Sequence, residues 1–305
     1  MAERAFLLSL AGPVLTPLLE DAQVTDVCCN DNGTAFVRRL GEGKHQVAHP
    51  GFAVLDRFLA AIAHEVGAEW RAESPRLSAA LEDVGWRIQA ARPPATPAPF
   101  MALRKHPAHV FPLEALEAQG VLTAQQRTVL AAAAEARKRV VIVGGVGSSK
   151  TTLLNSLLHQ LRDTPLRVVL LEDDPEILCQ IQDCTRMWRV RGQFGLREMV
   201  QDSLRLNPDL LIIGEVRDGA ALDMLKAFQT GHGGMTTLHV DNPEDALLRL
   251  EQLVQEVSVD PQRMLIGTVV DLVVHMTRTA TAWGCTGIVE VERWDGARYL
   301  TRRVA

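Results

Sequence analysis

A run of β-branched residues ends in a glycine-rich turn and a lysine: Val140-Val-Ile-Val-Gly-Gly-Val-Gly-Ser-Ser-Lys-Thr-Thr152. The apolar run predicts a buried strand, and the residues from about Lys150 onward predict a helix. A strand that turns through glycines into a helix aims successive main-chain N–H groups at one point. The helix start adds partial positive charge there. Such a turn cradles a triphosphate, with Gly145, Val146, Gly147, Ser148 and Ser149 as its wall. Lys150 would reach the terminal phosphates, Thr151 would place its hydroxyl on Mg²⁺, and Thr152 completes the first helical turn. One position departs from G-x-x-x-x-G-K-[ST]: Ser149 stands where the pattern has glycine. The serine keeps its N–H but adds a Cβ where backbone and phosphate approach closely. If the position is left-handed, strain on the order of 1–2 kcal/mol follows, and with it weaker binding of nucleotide or slowed turnover.

From residue 108 onward, strand and helix alternate. Strands are predicted at 140–143, 167–171, 187–191, 210–213, 236–240 and 272–277. Helices are predicted at 123–137, 151–161, 196–205, 218–229, 244–257 and 261–270. Strands of continuous Val, Ile and Leu, such as Asp209-Leu-Leu-Ile-Ile-Gly214, indicate a mostly parallel sheet covered on both faces, an α/β domain. Asp295-Gly296 predicts a closing hairpin.

Residues 1–92 read as a smaller α+β domain. A helix runs to Glu20, strands follow around Val24-Thr-Asp-Val-Cys-Cys29 and Thr34–Arg39, a helix spans Phe52–Val66, and Trp86–Ala90 returns as a strand. Arg92-Pro-Pro-Ala-Thr-Pro-Ala-Pro99 holds four prolines in eight residues, a composition that resists helix and ladder alike. The domain boundary is therefore placed in a linker over 93–107, with Phe100–Lys105 as a short strand leading into the second domain at 108–305.

Composition narrows the classes. The 305 residues carry a net charge of −5, which argues against a surface built to grip nucleic acid backbone. The five cysteines are odd in number and scattered, which suits reduced thiols in a cytoplasmic protein. No apolar run reaches the length of a membrane span. Glu3, Pro13 and the acidic Glu20-Asp21 argue against a secretory leader, and the first helix reads as amphipathic, with membrane or partner contact left open.

Parallel sheets bind ligands beyond the carboxyl ends of their strands. After strand 167–171 come Glu172, Asp173 and Asp174. An acid there could deprotonate the attacking water, or the cluster could cap a helix over 175–180. After strand 210–213 comes Gly214-Glu-Val-Arg217. Glu215 is placed to hold Mg²⁺ or orient water, and Arg217 to pair with it or with a neighbouring subunit. Thr230-Gly-His-Gly-Gly-Met-Thr-Thr-Leu-His239 carries two histidines suited to sensing a terminal phosphate.

These four segments in this order resemble the secretion traffic ATPases, hexameric RecA-like motors of type II and type IV secretion, pilus machines and conjugation. Asn207-Pro-Asp209, before the third strand, belongs to the same pattern. The length and Gly231-His-Gly-Gly234 look most like the conjugal-transfer, TrbB-like branch. The resemblance implies a RecA-like domain using ATP and Mg²⁺. Glu172 becomes general base, Glu215 the second acid and a metal ligand with Thr151, and His232 and His239 the coupling histidines. It also implies that Arg87 and Arg104 of the N-terminal domain act on the nucleotide. Arg186, Arg189 and Arg191 become candidates for a finger into the next subunit. A homo-oligomer, a hexamer by the family's habit, is expected at the cytoplasmic face of a bacterial inner membrane. Its partners would be inner-membrane components of the machine, without sequence-specific nucleic acid binding. Two alternatives stand beside this motor: a nucleotide-gated ring scaffold with little turnover because of Ser149, and a RecA-like DNA translocase.

Overall fold

The computed structural model describes residues 2–39, 42–81, 84–105, 110–173, 175–190, 193–279 and 282–305. The chain divides into two units, Met1–His109 and Val110–Ala305.

The first unit contains α1 (Ala2–Glu20), β1 (Val24–Cys29), β2 (Ala35–Arg39), β3 (Lys44–Val47), α2 (Phe52–Glu65), β4 (Arg76–Leu81), β5 (Trp86–Ala91) and β6 (Phe100–Lys105). Its strands form one antiparallel sheet in the order β3-β2-β1-β6-β5-β4. Period-two alternation gives the sheet two unlike faces. Val27, Val37, Leu77, Ile88 and Leu103 join Leu55, Phe58, Leu59 and Ile62 of α2 in one core. Asp26, Arg38, Arg87 and Arg104 lie on the other face, in one register row across four strands. Helix α1 breaks at Gly12, which adopts φ 74°, just before Pro13. Its Leu7, Ala11, Leu15 and Leu19 are buried in the same core, so the amphipathic stripe is consumed within the unit.

The expected boundary does not hold. Strand β6 pairs with β1 on one side and β5 on the other, in the middle of the first sheet. The proline segment is thus a loop inside the first unit, and 100–105 does not lead into the second. Proline composition marked correctly where pairing stops, but not that pairing resumes at Phe100, after the eight residues of the loop.

The second unit contains α3 (Leu113–Ala118), α4 (Ala124–Glu135), β7 (Arg139–Gly144), α5 (Lys150–Gln160), β8 (Val168–Glu172), β9 (Cys184–Trp188), α6 (Leu196–Ser203), β10 (Leu210–Ile213), α7 (Ala221–Gln229), β11 (Gly233–His239), α8 (Ala246–Gln255), α9 (Arg263–Val269), β12 (Leu272–Arg278), β13 (Trp283–Trp294) and β14 (Tyr299–Arg303). The sheet order is β14-β13-β12-β7-β11-β10-β8-β9. From β12 to β9 every pairing is parallel, and β13 and β14 extend the sheet antiparallel through the expected hairpin. Both faces are covered, which explains the uninterrupted apolar strands. Val141, Val143, Leu211 and Ile213 belong to one core, and Val140, Ile142, Leu210 and Ile212 to the other.

Two strands start earlier than expected. β11 begins at Gly233, because Phe228 of α7 lies where a Cβ on Gly234 would be, 2.1 Å from that point. A glycine that reads as a breaker is here the residue that admits a ring against the strand. β9 runs Cys184–Trp188, its register set by pairing with β8. Among the described residues no helix forms over 175–180. The five cysteines are free thiols. A hydrogen bond from its neighbour Cys184 holds the Cys179 thiol below its usual value.

Candidate functional site

The glycine-rich turn joins β7 to α5 at the carboxyl end of the sheet, as the strand–turn–helix pattern requires. Ser149 is the N-cap of α5 and adopts φ 68°, ψ 32°, the left-handed conformation. Gly147 has φ 72° and nothing within 4 Å of where a Cβ would stand. At Gly144 a Cβ would lie 2.1 Å from the Met276 carbonyl, so only glycine lets β12 run this close to the turn. No side chain caps α5, and the first intrahelical bond is Leu153 N–H to Ser149 O. The N–H groups of Thr151 and Thr152, in the first turn, therefore have no partner within the helix. This is a cradle suited to phosphate oxygens, with Ser149 in its wall in the left-handed conformation.

Lys150 is almost wholly buried. Its Nζ donates to Gly144 O at 2.8 Å and Gly145 O at 2.9 Å, and lies 3.2 Å from Nδ1 of His239. His239 ends β11, directly opposite Gly144 of β7. Its Nε2 lies 3.0 Å from Glu215 Oε1. An ammonium can only donate, so Nδ1 accepts from Lys150 and Nε2–H donates to Glu215. Burial, and then the charge of Lys150, hold the His239 pKa below the usual imidazole value, while Glu215 opposes them. Glu215 passes the chain onward, accepting at Oε2 from Arg217 Nη2 at 2.6 Å. Arg217 also lies 3.6 Å from Asp173, which faces Arg189 at 3.5 Å. The loop carrying Glu215 is fixed to β11 by Thr237, whose hydroxyl donates to Gly214 O at 2.6 Å. Glu215, Arg217, His239 and Arg249 line a cleft of about 260 Å³.

Glu172 ends β8 and is 2% exposed. Its Oε1 accepts the Glu176 and Ile177 N–H groups at 2.8 and 2.7 Å. These N–H groups belong to an irregular segment, so among the described residues there is no helix here for the acidic cluster to cap. Its Oε2 is buried without a hydrogen bond and faces Arg186 Nε at 3.3 Å. Burial foremost raises the Glu172 pKa, against the pull of the two N–H groups and Arg186. Such a carboxylate is shielded, oriented and more basic than usual, the profile of a general base.

Several expected residues lie elsewhere. His232 precedes the first residue of β11, roughly 20 Å along the strand from His239 and at the opposite end from the phosphate turn. The two histidines are not brought together within this chain. Arg186 is turned inward, donating from Nη2 to Ile177 O at 2.6 Å and facing Glu172, so it serves its own site rather than reaching outward. Arg87 and Arg104 belong to the first unit, as directly opposed residues on β5 and β6, with Arg104 Nε 3.4 Å from Asp26. Asp174 and Arg191 lie outside the described residues. Arg278, at the end of β12, donates to Gly147 O at 3.3 Å; no local sequence signal marks it.

The donors fit the expected ligand. Among the described residues no three His, Cys, Asp or Glu side chains gather as a metal cage. A divalent ion would arrive with the phosphates and be held by Thr151 and Glu215, the usual manner of Mg²⁺. A larger cleft of about 370 Å³, between α8 and the β13–β14 hairpin, is lined by Glu251, Arg263, Trp294 and Tyr299. Its Glu251 accepts from Tyr299 Oη and Arg263 Nε, both at 2.9 Å, and ties the hairpin to α8.

Comparison with known proteins agrees with this geometry. Residues 66–299 match the family described as Type II/IV secretion system protein. The chain is 35% identical over 291 residues to the probable conjugal transfer protein TrbB of Sinorhizobium fredii (strain NBRC 101917 / NGR234), covering 94% of this chain and 89% of that one. It is 33% identical to the conjugal transfer protein TrbB of Rhizobium radiobacter, covering 96% and 92%. The X-ray structure of the Legionella pneumophila ATPase DotB aligns with a TM-score of 0.65 at 18% identity, covering 88% of this chain and 76% of that one. That likeness concerns the fold, α/β with a RecA-like phosphate-loop sheet. The chain belongs to the type II/IV secretion protein family, on its conjugal-transfer, TrbB-like branch.

Proposed function

We propose that this chain is an ATP hydrolase that powers substrate transfer or pilus assembly in a conjugative type IV secretion machine. The observation that carries the reading is the line Lys150–His239–Glu215 across three neighbouring elements, with the buried Glu172 at the end of the next strand, β8. Bound nucleotide would supply a transferable phosphoryl group and its Mg²⁺. The chain's residues bind and orient: main-chain N–H groups and Lys150 hold phosphate, Thr151 and Glu215 hold the ion, and Glu172 takes a proton from water. Arg217, Glu215 and His239 form one hydrogen-bonded chain, so a change at the phosphates is felt at Asp173 and Arg189.

The names of the relatives supply the machine, and the family's habit supplies a homo-oligomeric ring at the inner membrane. The paired arginines Arg87 and Arg104 fit a role in distinguishing ATP from ADP. In that role, Arg87→Ala or Arg104→Ala weakens ATP more than ADP. Phosphate release from MgATP tests the central reading. The parent protein should turn over and Lys150→Ala should not; equal release by both removes the motor. The scaffold alternative rests on Ser149; the left-handed conformation that this serine already adopts supports the motor reading.

A further inference from the structure

We propose that Arg278, with Trp283 beside it, holds the base of the bound nucleotide; this rests on the nucleotide reading of the phosphate turn. Strand order gives the direction. Lys150 opens α5 after β7, His239 and Glu172 end β11 and β8, and Glu215 follows β10, all on one side of β7. A terminal phosphate placed among them sends the rest of the nucleotide away from those strands. The strand on the other flank of β7 is β12, paired with it in parallel from Leu272↔Val140 to His275↔Val143.

Beyond that pairing, β12 stays tight against the turn. The Met276 carbonyl occupies the space a Cβ on Gly144 would need, and two residues later Arg278 Nη1 donates to Gly147 O at 3.3 Å. The guanidinium thus lies at the mouth of the cradle, on the flank away from the acids. Directly opposite Arg278 on β13 is Trp283, half-buried. Cross-strand partners project from the same face of a sheet, so both side chains leave one face of the β12–β13 pair, the indole resting partly against the apolar core. These are the two side-chain types with flat surfaces best suited to stack on a nucleobase, and stacking tolerates any base. Next to Gly147, Val146 is 84% exposed and adds an apolar contact at the rim.

Arg278 could instead only brace the turn through Gly147. Binding separates the two roles, because inorganic tripolyphosphate needs the cradle but has no base. Calorimetric titration of the full-length chain with MgADP and with Mg-tripolyphosphate is the test. Arg278→Ala should weaken MgADP by about tenfold, the scale of one lost stacking contact, and leave tripolyphosphate within twofold. Arg278→Lys, which keeps a donor for Gly147 O but no flat surface, should behave like the alanine variant and guards against a fold defect. Equal weakening of both ligands, or of neither, overturns the assignment. So does a parent protein that binds the two ligands equally well. A parent that binds neither overturns the phosphate-site reading itself.

Discussion

The Nζ of Lys150 and the Nδ1 of His239 meet at 3.2 Å, though 89 residues separate them in sequence. The pair exists because β7 and β11 are adjacent parallel strands with Gly144 opposite His239. Protonating Nδ1 would set two cations against each other, and with burial this keeps the imidazole neutral around pH 7. A histidine with a lowered folded pKa contributes stability that is complete above its unfolded value near 6.5 and is lost as pH falls below it. His239→Gln should flatten part of the acid-side decline in melting temperature between pH 7 and 5, with an effect blunted by partial exposure of the ring. It should also lower kcat by about tenfold, since Lys150 and Glu215 lose their shared partner. Parallel melting curves for parent and variant across that range would remove this account of His239.

Ser149 already sits at φ 68°, so its strain belongs to the folded chain and not to the moment of ligand binding. Relief of roughly 1–2 kcal/mol of left-handed strain is partly offset by the greater chain entropy of glycine, about 0.5–1 kcal/mol. Ser149→Gly should therefore stabilise the second unit by up to about 1 kcal/mol. The gain in nucleotide affinity, expected from the motif mismatch alone, should be smaller than the tenfold that strain would suggest. Thermal melts beside equilibrium titration with MgADP measure both. A large gain in affinity without added stability would mean the serine obstructs phosphate directly.

Glu172 combines an orphaned Oε2 with an Oε1 that holds the Glu176–Ile177 backbone. Glutamine keeps the Oε1 acceptor but cannot take a proton. Glu172→Gln should lower kcat by about 10²–10⁴ while MgADP binding and fold persist. The sign of the pH effect is opposite to that of His239. A carboxyl with a raised folded pKa costs stability as pH climbs from its unfolded value, near 4.5, through the raised one. The variant should lack that decline. Unchanged turnover in Glu172→Gln would move the general base elsewhere.

The candidate site was legible wherever its residues are contiguous in sequence. The turn at 144–150, Glu172 and Glu215 each follow an apolar strand, and in a parallel sheet that position alone locates them at the ligand-binding end. His232 and His239 looked equivalent because glycines at 233 and 234 hid the true start of β11. Arg186 looked available because nothing local reveals its contact with Glu172. Arg278 was invisible, since its tie to Gly147 spans 131 residues and depends on which strand flanks β7. In the first unit, alternation identified β1, β2 and β5. It did not reveal that β6, across a proline loop, closes the gap between the first and the fifth strand.

That gap sets a final expectation. β6 contributes Met101 and Leu103, each 1% exposed, and supplies the only ladder joining β1 to β5 among the described strands. Losing two such core side chains costs about 2–5 kcal/mol each, even before the ladder is counted. Domains of this size have about 5–15 kcal/mol in total. A fragment ending at residue 92 should therefore fail to melt cooperatively, while one ending at residue 109 should. On the other side of the cut, a fragment starting at 110 should remain folded. One starting at 93 carries an unpaired apolar strand and should self-associate through it. Circular dichroism melts and light scattering on the four fragments decide the point. A cooperative 1–92 fragment, matching 1–109 in melting temperature, would restore the proline segment as the boundary between the units.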